Sequence, residues 1–492
     1  MTAPLWRYHE VLKATGAKDA KGAKGAKRAV ERSFYGVSID SRETAPGDIF
    51  VALPGTVTDG YAFVDEAFKM GATLALVSKT PEGLAGDDPR LVWVKDTYQA
   101  LIDLARVARE RVSATIIAVT GTAGKTGTKD VLFKAFSMQG PAHAAVRSFN
   151  NHVGVPLSLA RMPRDSAFGI FEVGMNAPGE IAPLSFLIRP HVALITTVGK
   201  GHMAAFREEQ EIALEKAAIF AGLEAGGSAV LNMDNSHFAL LKKQAKKYRV
   251  KHILGFSAVS SRADAYLLKS AEHADCSCLS AQVGKTTVTY KAAIPGRHWV
   301  ENSLGILLAT EAAGGDLGLM GLALAGATPR AGRGRVYEIQ TGRGPVKVID
   351  ESYNANPLSL KAALEVFAKM KPAAARGRKI AVLGDMEELG DNAIAEHANL
   401  AGNIRSAGIE VLYVKGSGMA ALLEKLKPGL SGFSFADNAG ICRKLTQDIT
   451  KGDLFLVKGS RKAGLDQVVD HLRSMEVLET SGGWGTPLAA AG

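Results

Sequence analysis

The residues best suited to chemistry by type and spacing form a short glycine loop at 121–127. Its residues are Gly121, Thr122, Ala123, Gly124, Lys125, Thr126 and Gly127. The loop follows the apolar run 115–119 and precedes a helical pattern, so the sequence predicts a strand, a glycine turn and a helix. Such a turn directs backbone N–H groups to one point, where the helix N-terminus adds partial positive charge. Lys125 can reach a terminal phosphate and Thr126 can ligate Mg²⁺, which predicts a nucleoside triphosphate site.

The spacing of this loop departs from the usual Walker pattern, because Val119 stands where that motif has its first glycine. The alternative interpretation is an exposed glycine turn with a surface lysine. The apolar strand before the loop and the helical pattern after it favour the phosphate loop.

Further polar side chains in the stretch 113–327 follow predicted buried strands. Glu172 ends the apolar run 168–173, and His202 follows the strand pattern at 192–198. Lys216 lies on the predicted helix 208–223. Strands that alternate with helices predict a mostly parallel, doubly wound sheet, whose ligands bind at the carboxyl ends of the strands. Lys125, Glu172 and His202 all fall there, although each alone could be an ordinary surface or loop residue.

The stretch 1–112 alternates short strands and helices, which predicts a small α/β domain. Ser41 and Arg42 stand where a strand gives way to a loop, and an arginine fork there suits a phosphate or a carboxylate. The alternative, favoured from these residues alone, is a polar turn.

The stretch 328–492 predicts a third α/β domain with polar residues at its strand ends. Asp350 follows the strand at 346–349, and the tetrapeptide 458–461 follows the strand at 454–457. The Gly/Arg-rich run 330–335 is predicted to be a linker that can also contact anions. The tail from about residue 476 is predicted to be flexible.

Composition is typical of a soluble globular protein, with 47% hydrophobic and 22% charged residues in a chain of 492. We expect no membrane span, because no apolar run approaches about 18 residues. No N-terminal apolar signal region is apparent. Three cysteines cannot build a disulfide framework, and they indicate a reducing cytoplasm.

Half of the net charge of +10 comes from one Lys-rich insertion at about 13–32, where seven Lys/Arg face two acidic residues. Repeated Gly-Ala-Lys triplets without interleaved aromatics favour a solvated, mobile insertion over a nucleic-acid-binding arm. We therefore expect no nucleic-acid partner.

Together these motifs resemble those of the Mur ligase family, ATP-dependent enzymes that form amide bonds in peptidoglycan synthesis. The phosphate loop, Glu172, His202 and Lys216 match the family's ATP and magnesium positions in order and spacing. Within the family, the resemblance is to members that join D-alanyl-D-alanine to UDP-N-acetylmuramoyl-tripeptide, with diaminopimelate or lysine as the tripeptide's third residue. The segments that carry it are 40–42, 46–53, 150–156, 350–357, 382–390 and 457–461. Tyr61 departs from the pattern, which has histidine there.

The resemblance implies three domains. It implies a small α/β domain at 1–112 that binds the UDP-sugar, and a central ATPase domain at 113–327 with a P-loop-type, mostly parallel sheet. It implies a Rossmann-like ligase domain at 328–492.

The resemblance also implies cofactors and site residues. ATP would be joined by two Mg²⁺ ions, and CO₂ would be taken up as a carbamate on Lys216. The catalytic residues would be Lys125, His202 and Lys216, and the metal residues Thr126, Glu172, His202 and carbamylated Lys216. Besides 121–127, ATP would contact Asn302, Arg333 and Asp350. The UDP-substrate would contact Ser41, Arg42 and Asn151, and the dipeptide would lie near Tyr353, Asn354, Asn356, Lys458, Ser460 and Arg461.

Two alternatives remain in view. Another Mur-type ligase would add a single amino acid, which the segments 353–357 and 384–386 disfavour. A P-loop GTPase or nucleic-acid switch would carry an Asn/Thr-Lys-x-Asp guanine-binding motif, and none is suitably placed in the sequence.

Overall fold

The computed structural model of the chain describes residues 3–17, 32–55, 58–145 and 147–477. Most of the Lys-rich insertion and nearly all of the tail therefore lie outside the described residues. The chain divides into two compact units, Met1–Ala327 and Thr328–Gly492.

The first part of unit Met1–Ala327 contains two small sheets. Strands β1 and β2 form an antiparallel pair, and β3 to β6 form a parallel sheet in chain order. The strands are β1 (Trp6–Arg7), β2 (Ser33–Phe34), β3 (Gly36–Ser38), β4 (Asp48–Val51), β5 (Leu74–Val77) and β6 (Leu91–Trp93). The α-helices are Tyr8–Thr15, Val64–Met70 and Thr97–Glu110, and the 3₁₀ turns are Ser41–Glu43 and Gly60–Phe63. The predicted alternation of short strands and helices is present.

A nine-stranded sheet follows in the same unit, in the order β15-β14-β13-β12-β11-β10-β7-β9-β8. Its strands are β7 (Thr115–Thr120), β8 (Ala142–Ala144), β9 (Phe168–Glu172), β10 (Val192–Ile195), β11 (Ser228–Asn232), β12 (His252–Ser257), β13 (Ala265–Glu272), β14 (Ser277–Val283) and β15 (Thr286–Ala292). Neighbouring strands from β8 to β13 are parallel, whereas β14 and β15 continue the edge antiparallel. The prediction of a mostly parallel sheet is confirmed; the antiparallel edge was not anticipated.

Helices cover both faces of this sheet, as a doubly wound fold requires. They are Lys125–Ser137, Gly154–Ala160, Ile181–Ile188, Glu209–Ala217, Phe238–Lys247, Arg297–Ala312 and Leu317–Ala325, with a 3₁₀ turn at Ala218–Gly222. Alternate residues of β7 enter different cores: Ile116 and Ala118 pack on one face, and Ile117 and Val119 on the other. Burial on both faces explains why this strand is a continuous apolar run.

Within this unit the small parallel sheet is packed against the central one. Leu101 and Leu104 of helix Thr97–Glu110 share a buried cluster with Leu157 and Ala160. The indole N–H of Trp6 donates to the Ala160 carbonyl at 2.9 Å.

Unit Thr328–Gly492 is built on a six-stranded sheet in the order β16-β17-β21-β18-β19-β20. Its strands are β16 (Arg335–Thr341), β17 (Gly344–Glu351), β18 (Lys379–Gly384), β19 (Val411–Lys415), β20 (Ser431–Phe435) and β21 (Leu454–Lys458). Only β16 is antiparallel to its neighbour. The helices are Pro357–Lys369, Ala393–Ala398, Ala401–Ser406, Ser417–Leu426, Asn438–Asp448 and Asp466–Ser474, with 3₁₀ turns at Gly390–Asn392 and Arg461–Ala463. The predicted third α/β domain is present.

Across the described ranges, no helix combines the length and the apolar character needed to cross a bilayer.

Candidate active site

The glycine loop owes its shape to two residues without side chains. Gly121 has φ +152°, and a Cβ there would lie 2.0 Å from Thr196 Oγ1. Gly124 has φ +82° and precedes helix Lys125–Ser137, and its Cβ would lie 2.6 Å from Asn302 Nδ2. No side chain caps this helix N-terminus, which leaves its N–H groups suited to an anion.

The loop is fastened to the segment that follows β10. The Thr122 N–H donates to the Thr197 carbonyl at 2.8 Å, and Thr196 Oγ1 donates to the Ala123 carbonyl at 2.6 Å. On its other side, a Cβ at Gly127 would lie 2.7 Å from the Trp299 ring. The helix that carries Trp299 and Asn302 therefore packs directly against the loop.

The first helical turn meets the end of β9. Thr126 Oγ1 donates to Glu172 Oε2 at 2.8 Å, and the Glu172 side chain is buried, with 2% of the residue exposed. Lys125 Nζ donates to the Gly121 carbonyl at 2.8 Å, so the ammonium lies over the loop. Two sequence segments predicted separately, the glycine loop and the end of β9, thus meet at one end of the sheet.

Asn150 is a site residue that the sequence analysis missed. Its Nδ2 donates to Glu172 Oε1 at 2.7 Å, so both carboxylate oxygens of Glu172 are engaged. Ser148 Oγ lies 3.2 Å from Thr126 Oγ1. The sequence signal for Asn150 is the pair Asn150-Asn151, of which only Asn151 is predicted to be a site residue.

Lys216 is completely enclosed on helix Glu209–Ala217, with 2% of the residue exposed. Burial, followed by the nearby Lys125 ammonium, lowers the pKa of the Lys216 amine well below its usual value. Its Nζ contacts Met175 Sδ at 4.0 Å. These surroundings favour a neutral amine close to Lys125.

His202 lies on the same segment that fastens the loop. Gly199 N–H donates to Thr122 Oγ1 at 3.1 Å, and His202 follows three residues later, within about 11 Å of chain. The residue has φ +60°, a left-handed conformation that is uncommon for a non-glycine residue and that sets its side-chain direction.

The donor set around Thr126 fits Mg²⁺. A hydroxyl and a buried carboxylate are oxygen ligands of the kind this ion takes, and Mg²⁺ usually completes its shell with water and substrate phosphates. In the part of the chain that the structure describes, no group of three or more His, Cys, Asp or Glu could hold a metal ion.

The predicted UDP-substrate residues Ser41, Arg42 and Asn151 contact nearby protein groups. Ser41 Oγ donates to Glu66 Oε2 at 3.0 Å, and the exposed Arg42 forms an ion pair with Asp40 at 2.6 Å. Asn151 Oδ1 accepts from the Gly154 N–H at 2.8 Å, at the start of a helix. The structure does not join these three residues to each other.

Tyr61, the departure from the family pattern, is a buried residue. Its hydroxyl lies 2.6 Å from Ser78 Oγ at the end of β5, and Lys79 Nζ stands 4.5 Å from its ring centroid. A tyrosine fits here because its hydroxyl is hydrogen-bonded.

In unit Thr328–Gly492, two arginines flank Tyr353. The guanidinium carbons of Arg333 and Arg461 lie 4.0 Å and 5.5 Å from the Tyr353 ring centroid. Lys458, with 1% of the residue exposed, donates from Nζ to Glu351 Oε2 at 3.2 Å and to the Asn354 carbonyl at 3.0 Å. The structure thus brings these predicted residues together at the ends of β17 and β21.

Asp350 and Asn356 serve the local backbone of the same unit. Asp350 Oδ2 accepts from the Gly332 N–H at 2.6 Å, and its Oδ1 accepts from Ser352 Oγ at 2.6 Å. Asn356 Oδ1 accepts from the Ser359 N–H at 2.8 Å and caps helix Pro357–Lys369. Ser460 Oγ is buried and has no hydrogen-bond partner among the described residues.

Comparison with known proteins extends over most of the chain. The family models for the Mur ligase catalytic, middle and glutamate ligase domains match residues 33–109, 119–310 and 334–461. UDP-N-acetylmuramoyl-tripeptide–D-alanyl-D-alanine ligase of Rickettsia prowazekii is 32% identical over 435 residues, which cover 88% of this chain and 94% of the relative. The chain belongs to the Mur ligase family.

Other Mur ligases support the same conclusion. The enzyme of that name from Escherichia coli is 32% identical over 89% of this chain and 93% of its own length. A crystal structure of MurF from Acinetobacter baumannii is similar with a TM-score of 0.80 and 25% identity, over 96% of this chain and 99% of that one. MurF from Thermotoga maritima, solved in complex with ADP, shares the fold with a TM-score of 0.73 at 24% identity, over 89% of this chain and 97% of that one. The chain has the three-domain Mur ligase fold, and as a Mur ligase it is an ATP-dependent ligase.

Proposed function

We propose that this Mur ligase joins D-alanyl-D-alanine to UDP-N-acetylmuramoyl-tripeptide in peptidoglycan precursor synthesis. The supporting observation is the buried Thr126–Glu172 contact beside Lys125 and Lys216, in a chain that matches ligases of this name over almost their full length. Its three cysteines are unpaired, which supports the cytoplasm as its location.

The chemistry requires activation of a carboxylate, which is a poor electrophile. The tripeptide's terminal carboxylate attacks the γ-phosphorus of ATP, giving an acyl phosphate and ADP. The free amine of D-alanyl-D-alanine then attacks the acyl carbon, and the tetrahedral intermediate collapses to an amide and phosphate. Phosphoryl transfer of this kind depends on positioning and charge neutralisation more than on covalent help.

Residues of the glycine loop would hold the β- and γ-phosphates. The uncapped N–H groups of the helix and the Lys125 ammonium supply positive charge where the transferred phosphoryl group needs it. Asn302, packed against Gly124, would contact the nucleotide, and we assign Arg333 and Asp350 to the same ligand.

Thr126 and Glu172 would hold one Mg²⁺, and His202 with a carbamylated Lys216 would serve a second. Bound Mg²⁺ would neutralise phosphate charge and polarise the phosphoryl group. Lys216 suits this role because a neutral, buried amine can take up CO₂ to become an anion, whereas an ammonium would repel the metal.

The remaining assignments follow the three predicted domains, 1–112, 113–327 and 328–492. Residues 1–112 would bind the UDP-sugar through Ser41 and Arg42, with Asn151 from the central domain. Residues 328–492 would bind the dipeptide. The residues assigned to it are Tyr353, Asn354, Asn356, Lys458, Ser460 and Arg461.

Mass spectrometry of the product tests this function. The purified protein is incubated with ATP, Mg²⁺ and UDP-N-acetylmuramoyl-tripeptide carrying diaminopimelate or lysine, together with D-alanyl-D-alanine. We expect a product heavier by the dipeptide less one water. Matched reactions with D-glutamate, lysine or diaminopimelate as the amine should give none; a product from one of these in place of the dipeptide would make the chain a single-amino-acid ligase.

A further inference from the structure

Glu215 connects the helix of Lys216 to a neighbouring loop through both oxygens of its carboxylate. Oε2 accepts from the Gly179 N–H at 2.9 Å, and Oε1 accepts from the Ile181 N–H at 2.8 Å. Ile181 is the first residue of helix Ile181–Ile188, so the carboxylate also lies at a helix N-terminus, where negative charge is favourable. Hydrogen bonds from backbone N–H groups to an ionised carboxylate are among the stronger ones in proteins.

The loop that Glu215 contacts begins directly after Glu172, the residue of β9 that we propose holds Mg²⁺. Residues 173–181 leave the strand directly after Glu172, and Met175 within them touches Lys216 Nζ at 4.0 Å. The helix Glu209–Ala217 therefore contacts this loop at two points. Glu215 contacts the end of the loop, and Lys216 contacts Met175 near the beginning of the loop. Together these contacts fix the position of the Lys216 amine relative to Glu172.

We propose that Glu215 is a positioning residue that holds Lys216 where its carbamate forms. The inference rests on the role of Lys216 proposed above and adds a residue that sets it. With both hydrogen bonds to Glu215 in place, the Lys216 amine is held in one location beside Met175. Without them, the helix can shift against the loop, and the carbamate loses the fixed surroundings that stabilise it.

Carbon-13 NMR of the protein titrated with ¹³C-bicarbonate measures the carbamate directly, apart from ligase activity. The variants are Glu215→Gln, Lys216→Ala and Glu211→Gln. Glu211 is a matched control, since it lies one turn earlier on the same helix and its carboxylate accepts from the Arg207 N–H of its own segment, at 2.9 Å. An amide at 215 has an acceptor oxygen at only one of these two positions and an NH₂ donor at the other, so it cannot reproduce both hydrogen bonds.

We expect a carbamate signal that is absent from Lys216→Ala and half-saturates at about tenfold higher bicarbonate in Glu215→Gln, in proportion to the loss of a charge-assisted hydrogen bond. Glu211→Gln should titrate like the unmodified protein. Glu215→Asp should show the same change, because the shorter side chain cannot span both N–H groups although it keeps the carboxylate charge near Lys216. It also replaces Glu215→Gln if that variant does not fold.

The outcomes separate the two proposals. A normal titration of Glu215→Gln, beside a signal that requires Lys216, overturns the positioning role and leaves the role of Lys216 intact. If the unmodified protein gives no signal that depends on Lys216, both roles are overturned.

Discussion

The two units treat their sequence-predicted residues differently. Around the glycine loop of unit Met1–Ala327, predicted residues act on one another: Thr126 donates to Glu172, and burial together with the Lys125 charge lowers the pKa of Lys216. In unit Thr328–Gly492, Asp350 and Asn356 instead satisfy nearby backbone N–H groups. The first arrangement brings polar groups to a shared point. In the second, Asp350 and Asn356 stabilise the conformation of their own loops. Substitutions around the loop should accordingly affect chemistry, whereas those at Asp350 and Asn356 should affect stability.

The largest effect is expected at Lys125. Lys125→Ala should lower ligation by about 10³-fold, because it removes the cation that neutralises the transferred phosphoryl group. Its melting temperature should change little, since Nζ donates to the Gly121 carbonyl of the loop that carries it. Lys134→Ala, on the exposed face of the same helix, is the control for losing a lysine. Phosphate release by Lys125→Ala at the unmodified rate would remove Lys125 from the mechanism.

The next effect is expected at Lys216. Lys216→Ala should lose about 10²-fold or more in rate, in line with loss of an electrostatic group at the site. Short carboxylic acids should partly restore the rate, because they place an anion where the carbamate would be. The measurement is phosphate release with and without added acid. A plain alanine variant that ligates normally would eliminate the carbamate.

A smaller effect should separate two adjacent asparagines. Asn150→Ala frees Glu172 Oε1 and should raise the half-saturating Mg²⁺ concentration by about tenfold, the size expected for a hydrogen bond to a charged group. Asn151→Ala should instead raise KM for the UDP-substrate with little change in Mg²⁺ dependence. Equal responses of the two variants to Mg²⁺ would show that Asn150 does not orient Glu172.

The smallest kinetic effect, and the clearest on stability, is expected at Asp350. Asp350→Asn should destabilise the loop by about 1–3 kcal/mol, because Gly332 and Ser352 donate to different carboxylate oxygens and an amide keeps only one of these acceptors. The rate of hydrogen exchange should rise in peptides spanning 330–356, whereas the rate in peptides of the glycine loop should stay unchanged. Unaltered exchange with a raised KM for ATP would make Asp350 a nucleotide contact with no part in holding its own loop.

Local patterns predicted much of the site. The apolar run of β7, the glycines and the Lys-Thr start of a helix were readable because strand, turn and helix each leave a short-range signature. Glu172 was found because ligands of parallel sheets meet strand ends. Asn150 and Glu215 were missed because their importance lies in a partner 22 residues away in one case and 34 to 36 in the other.

Other expectations changed with the tertiary structure. The predicted linker at 330–335 ends in strand β16, because pairing with β17 gives Arg335 a ladder partner in Asp350. Asp385, in a segment that resembles a family motif, accepts from the Gly418 and Met419 N–H groups at the start of a helix. The antiparallel edge β13–β15 escaped the sequence analysis because half-exposed edge strands lack the continuous apolar run of buried ones.

The amino-acid sequence by itself determined that a glycine turn lies between a buried strand and a helix, and that acidic and basic groups follow other strands of one parallel sheet. Both depend on contacts between residues close in the chain. Tertiary structure alone decided that Lys216 is buried near Lys125, that Asn150 donates to Glu172 and that Glu215 accepts from two N–H groups of the loop after β9. Burial and hydrogen-bond direction depend on groups that only the folded chain brings together.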